Sequence, residues 1–207
     1  MRSTAIAIAL LMTFAAPGWS APADVSLEEL RRTFTLDGKP IPPEVFADFG
    51  DSDLADSSNS IRVTIDLLAA MGSNLYADDI ALGPNGWVSQ KKVTGGAEKL
   101  TEETSYKFIG ATHNGLLVLI ASFSGGGSGD FFTLHVLDAV AAHAFDSDGE
   151  LYDRLNLTVI RNMPLGDRWT GGVAITGDTV TIATDPGAPG GGNGRPATQR
   201  VEAVRPN

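Results

Sequence analysis

A chain of 207 residues with 25 acidic against 15 basic side chains carries a formal net charge of −10. Nucleic acid is excluded as a partner, because affinity for it is largely phosphate neutralisation by Lys and Arg, and an anionic membrane surface is disfavoured by the same repulsion. The length suffices for one domain with a sizeable core, and the absence of cysteine rules out disulfides, a lipid-anchored amino terminus and thiolate metal ligands.

Residues 1–23 read as a secretory signal, with Arg2 as a basic start, Thr4 to Ala16 as an apolar stretch and Ala21-Pro22-Ala23 as a small-residue cleavage site. The apolar stretch is too short to span a bilayer, and the expected product is a soluble periplasmic or secreted protein with no membrane insertion. Its domain is expected over residues 24–185, followed by a Gly/Pro-rich tail, 186–207, holding one last strand in "TQRVEAV".

In the mature chain, Ser26 and Glu29 have capping-box spacing and predict a helix from Leu27 to Thr33. The segment after it, "DGKPIPPEVFADFGDSDLADSSNS", predicts loop with one helical turn after Pro43. From Ile61 the pattern becomes short runs of Val, Ile, Thr and Phe punctuated by Gly, Asn and Asp, which predicts antiparallel β structure. The expected strands are 61–66, 87–93, 105–112, 116–123, 131–137, 155–161, 173–176 and 179–184, with a helical turn in "IDLLAAMGSNLYADDI". The fold class is mainly β: an antiparallel sandwich or irregular barrel with a short N-terminal helix.

Two turns set the expected register. Asn114-Gly115 read as a two-residue type I′ turn pairs Ala111 with Val118 and Ile109 with Ile120. The run Gly125 to Gly129 read as a five-residue loop pairs Phe123 with Phe131, Ile120 with Leu134 and Val118 with Val136. Both registers place Ile109, Ala111, Val118, Ile120, Phe132, Leu134 and Val136 on one core face. The glycine run is therefore a turn. A phosphate loop needs a Lys after its last Gly, where this chain has Asp130, and a nucleophile elbow around Ser128 lacks its second glycine.

The opposite face collects Tyr106, Phe108, Phe123, Phe131, Thr133 and His135. It predicts either a second core layer with His135 hydrogen-bonded inside it, or the aromatic wall of a pocket for a small apolar ligand. Asp146, Asp148, Glu150 and Asp153 put four carboxylates around a turn at Gly149, a candidate Ca²⁺ site without EF-hand spacing; an exposed Asp-Gly turn explains the same residues. His135 and His143 lie eight apart, which suits neither a helical nor a strand pair of zinc ligands. Asp167, Arg168 and Trp169 predict a local Asp–Arg pair or a cation–π contact at a strand entrance.

The segments "DGKPIPPEVF", "SGGGSGDFF" and "LGDRW" resemble a pattern in small secreted bacterial proteins of uncharacterised function. The resemblance implies export and assigns no activity or residue role. The function expected from the residues is binding, to a small apolar ligand or a basic protein partner. The competing class is an extracellular hydrolase using paired carboxylates.

Overall fold

The computed structural model describes residues 22–49, 63–72, 80–94, 100–183 and 198–205. The expected stretch 1–21 of the signal and most of the tail lie outside these residues. The fold is mainly β, as expected, with a curled seven-stranded antiparallel sheet that forms a half-barrel. No helix among the described residues is long and apolar enough to cross a membrane.

Helix α1 spans Pro22–Thr33, so Ser26 lies inside it and the predicted capping box does not start the helix. Proline is tolerated in a first helical turn, because its missing N–H would be unpaired there anyway. Phe34, at φ 56°, stops the helix in a left-handed conformation. Strands β1 (Thr35–Leu36) and β2 (Lys39–Pro40) follow as a small hairpin where loop was expected. Its turn residues Asp37 and Gly38 both have positive φ, 51° and 72°, as a type I′ turn requires. Glu29 clamps this turn: its carboxylate accepts Asp37 N–H at 3.0 Å, Gly38 N–H at 2.8 Å and the Thr35 hydroxyl at 2.5 Å. A 3₁₀ segment, Pro43–Phe49, stands where the helical turn was expected.

The large sheet comprises β3 (Thr64–Asp66), β4 (Ile80–Leu82), β5 (Trp87–Thr94), β6 (Leu100–Ala111), β7 (Leu117–Ser124), β8 (Phe131–Phe145) and β9 (Leu151–Asp167). Its order is β3-β9-β8-β7-β6-β5-β4. Helix α2 (Leu67–Gly72) matches the expected helical turn; Asp66 caps it through Ala69 N–H and also binds the Arg154 guanidinium at 3.0 Å. A second sheet holds β10 (Gly172–Thr176), β11 (Thr179–Ala183) and β12 (Thr198–Glu202), the last being the strand expected in the tail.

The register across the glycine run is the expected one: Phe123 pairs with Phe131, Ile120 with Leu134 and Val118 with Val136. The register across Asn114-Gly115 is not. Thr112 N–H donates to Leu116 O and Gly115 N–H to Thr112 O, a longer loop that pairs Ala111 with Leu117. A bulge between Phe108 and Gly110 adds a second residue of offset, so Ile120 pairs with Lys107 rather than Ile109. The two shifts together restore the face alternation, leaving Ile109 on the expected face while Ala111 crosses to the other. The longer loop is favoured by Asn114, whose backbone N–H donates to Asp178 and whose amide donates to Ala203 O, welding the hairpin tip to the second sheet.

Two apolar layers result. On one face Val118, Ile120, Leu134 and Val136 pack against Val180, Ile182, Val201 and Trp169 of the small-sheet side. On the other, Leu117, Leu119, Leu137 and Leu157 are covered by Leu30, Phe34, Ile41, Val45, Phe46 and Phe49.

Candidate aromatic ledge and its glycine loop

The six residues expected to wall a pocket share one face of β6, β7 and β8, but the structure divides them. Tyr106 and His135 are buried, at 2% and 1% exposure, and Phe108 is half-buried. The space over them is filled from the N-terminal segment. Phe34 packs on Phe108 and Tyr106 with ring centres 5.3 and 5.4 Å apart, and Phe46 packs on Tyr106 and His135 at 5.0 and 6.0 Å. This part is the second core layer.

His135 sits in that layer as a neutral group. Asn162 donates its amide N–H to Phe49 O at 2.7 Å, which turns its oxygen toward His135 Nδ1, 2.6 Å away. The imidazole therefore carries its proton on Nδ1. Burial holds its pKa down at about 4, against a smaller upward pull from the Asn162 hydrogen bond.

Phe123 and Phe131 lie beyond this cover, 45% and 58% exposed. They are direct cross-strand partners, and their row across the sheet runs from Thr104 through Phe123 and Phe131 to Asp167. Thr133 stands beside them, one row nearer the core. Together these side chains form an apolar ledge with polar ends.

The glycine run is the floor of the ledge. A methyl group on Gly125 would meet the Phe123 ring at 3.7 Å, and one on Gly129 would meet the Phe131 ring at 2.8 Å, so each ring lies against bare backbone. The loop is clamped from β9. Asp167 accepts Asp130 N–H at 2.8 Å, Arg168 N–H donates to Asp130 O at 2.7 Å, and the Arg168 guanidinium donates to Ser128 O. Ser122 donates its hydroxyl to the Asp130 carboxylate. Two segments far apart in sequence, 124–130 and 165–169, thus meet at one site. Arg168 does not stack on its neighbour Trp169, which is buried in the opposite layer near Phe132 with ring centres 6.3 Å apart. Sequence reading singled out Asp167 and Arg168, and separately Ser128 and Asp130, but did not pair the two segments, and it missed Ser122. The distance between the two segments hides that pairing.

The four carboxylates of the predicted calcium turn are not brought together as a cage. Asp146 accepts the N–H groups of Asp148 and Glu150 at 2.9 and 2.8 Å, closing its own turn, while Asp153 pairs across the strands with His143 at 2.7 Å. Among the described residues no group of three or more His, Asp or Glu side chains is placed to hold a metal ion. His113, beside the β6–β7 turn, is exposed. On the opposite face of the sheet a cleft of about 300 Å³ opens between β8, β9 and β12, with Val136, Ile160, Val201 and Ala203 joined by Arg161 and Glu202 in its lining.

The chain matches no known protein family, no characterised protein and no solved structure.

Proposed function

We propose that this protein is an exported binding module that takes, on the Phe123–Phe131 ledge, a ligand with an apolar or aromatic body and a cationic group. One observation carries the assignment: two cross-strand phenylalanines, 45% and 58% exposed, flank a clamped loop beside Asp167. Exposed aromatic side chains that pack on fixed backbone give area for stacking at little entropic cost. Ring faces attract cations by about 0.5–1 kcal/mol at exposed sites, and the net charge of −10 adds long-range attraction of the same sign. A basic segment of a protein partner presents the same chemistry as a small organic cation. Export is supported by the N-terminal pattern of Arg2, the apolar stretch and Ala21-Pro22-Ala23.

Calorimetric titration with benzyltrimethylammonium and with uncharged benzyl alcohol tests the assignment. Wild-type protein should prefer the cation. Phe123→Ala with Phe131→Ala should abolish binding of both probes while circular dichroism stays native-like, with the melting temperature lowered by loss of the cross-strand ring pair, and Asp167→Asn should remove the preference for charge. Equal binding by wild type and the double variant would refute the ledge as the site.

A further inference from the structure

The hairpin formed by β8 and β9 outruns the rest of the sheet. β7 follows β8 only as far as the Leu117–Leu137 pair, whereas β8 and β9 continue together to Phe145–Leu151. From Ala139 to Phe145, the outer edge of β8 has no strand partner among the described residues. An open edge is ordinarily guarded by Lys, Pro or a bulge, since its free N–H and C=O groups are a template for another strand. This edge, "AVAAHAF", has none of these guards, and its only titratable group, His143, is paired with Asp153. Its two large apolar side chains stand in solvent, Val140 at 49% and Phe145 at 72% exposure, while Ala139 is buried.

We propose that this edge pairs antiparallel with the same edge of a second copy, with Ala142 on the two-fold axis, so that the two large sheets become one. Three features of the chain select a second copy as the occupant. With residue 142 opposite itself, each large side chain faces a small one: Phe145 faces Ala139, His143 faces Ala141 and Val140 faces Ala144. Residues brought opposite keep the same parity, so each continues the face of its own sheet. At the ends of the pairing a cation lies between carboxylates: the register sets Asp146 opposite Asp138 of the other copy, and Arg205 lies beside Asp138. The turn after Phe145 carries Asp146, Asp148 and Glu150, and the antiparallel arrangement delivers it to the base of the other copy's hairpin.

That base is flanked by two arginines. Arg205 lies 3.1 Å from Asp138 on one face. The Arg31 guanidinium lies against Gly115, two residues before the Leu117–Leu137 pair, and its Nε is buried with no hydrogen-bond partner among the described residues. An acidic turn from a second copy would come up against Arg205 and the Asp138 carboxylate it already holds, whereas the Arg31 Nε is enclosed within its own chain.

Because the chain has no cysteine, Ala142→Cys supplies the test directly. Residues facing each other across an antiparallel pair have Cα atoms about 4.5–5.5 Å apart, within the span of a disulfide. Mild oxidation should convert this variant into a covalent dimer, while Lys39→Cys, at the exposed first residue of β2, should stay monomeric at the same concentration. Sedimentation of unmodified protein should show a monomer–dimer equilibrium that weakens with added salt. Ala142→Glu gains Arg154 as a cross-strand neighbour within its own hairpin but places two carboxylates together on the axis, so it should weaken the dimer at least tenfold while circular dichroism stays unchanged. A wild-type chain that is monomeric at every concentration overturns the proposal. So does a dimer that Ala142→Glu leaves intact and Ala142→Cys does not cross-link.

Discussion

Asn162 holds His135 from one side and the Phe49 carbonyl from the other, tying the strand pair β8–β9 to the 3₁₀ segment that covers it. The linkage makes stability depend on pH in a defined direction. The folded-state pKa of His135, about 4, lies below its ordinary value near 6.5, so the unfolded chain binds the proton first as pH falls. Its contribution is complete above about pH 6.5 and declines from there toward pH 4, a loss of about 3 kcal/mol at most. Urea midpoints measured at pH 7 and pH 5 should show the decline, and His135→Leu should flatten it while lowering stability at both values.

Glu29 reinforces the same acid sensitivity from the surface. Its hydrogen bonds, first to Thr35 and then to Gly38, hold its carboxyl below the usual range, so stability is present above the ordinary carboxylate pKa and lost as pH falls through the lowered value. Glu29→Ala should cost about 1 kcal/mol at pH 7, comparable to a lost helix cap, and the deficit should shrink in acid. Parallel melts at pH 7 and pH 3 check both parts.

Asp66 has three separate partners: Ala69 N–H at the start of α2, the Arg154 guanidinium and Leu155 N–H. Its side chain is only 11% exposed, and removing it leaves Arg154 without its carboxylate. Asp66→Ala should destabilise by about 3 kcal/mol, more than a surface ion pair is worth. A double-mutant cycle with Arg154→Ala should return a coupling energy above about 1 kcal/mol.

Two glycines separate steric need from loop flexibility. A methyl group on Gly171 would stand 2.0 Å from Ala183 O and 2.7 Å from the Trp169 ring, whereas one on Gly127 meets nothing within 4 Å. Gly171→Ala should therefore cost about 3 kcal/mol or more by forcing β11 and Trp169 apart. Gly127→Ala, which restricts the unfolded chain, should be neutral or mildly stabilising. Denaturant titration of the two variants makes the comparison.

The β7–β8 register was legible because alternation and loop length are both local, and the five glycine-run residues leave a single in-phase pairing for Phe123 and Phe131. At the β6–β7 turn the same reasoning failed. Asn114 is held by Asp178 and Ala203, and no local pattern announces partners so far along the chain. The length of β8 was hidden for a different reason. "DAVAAHAF" is rich in alanine, which favours helix over strand on its own, and only pairing with β9 makes it extended.

Local chemistry alone therefore settled the class of fold, the two-faced strands and the role of the glycine run, since strand alternation and turn residues act over a few positions. Which aromatic residues stay wet was decided by the folded chain. Phe34, Phe46 and Phe49 cover Tyr106, Phe108 and His135 but stop short of Phe123 and Phe131, and where a distant segment comes to rest is a property of packing that no neighbouring residue encodes.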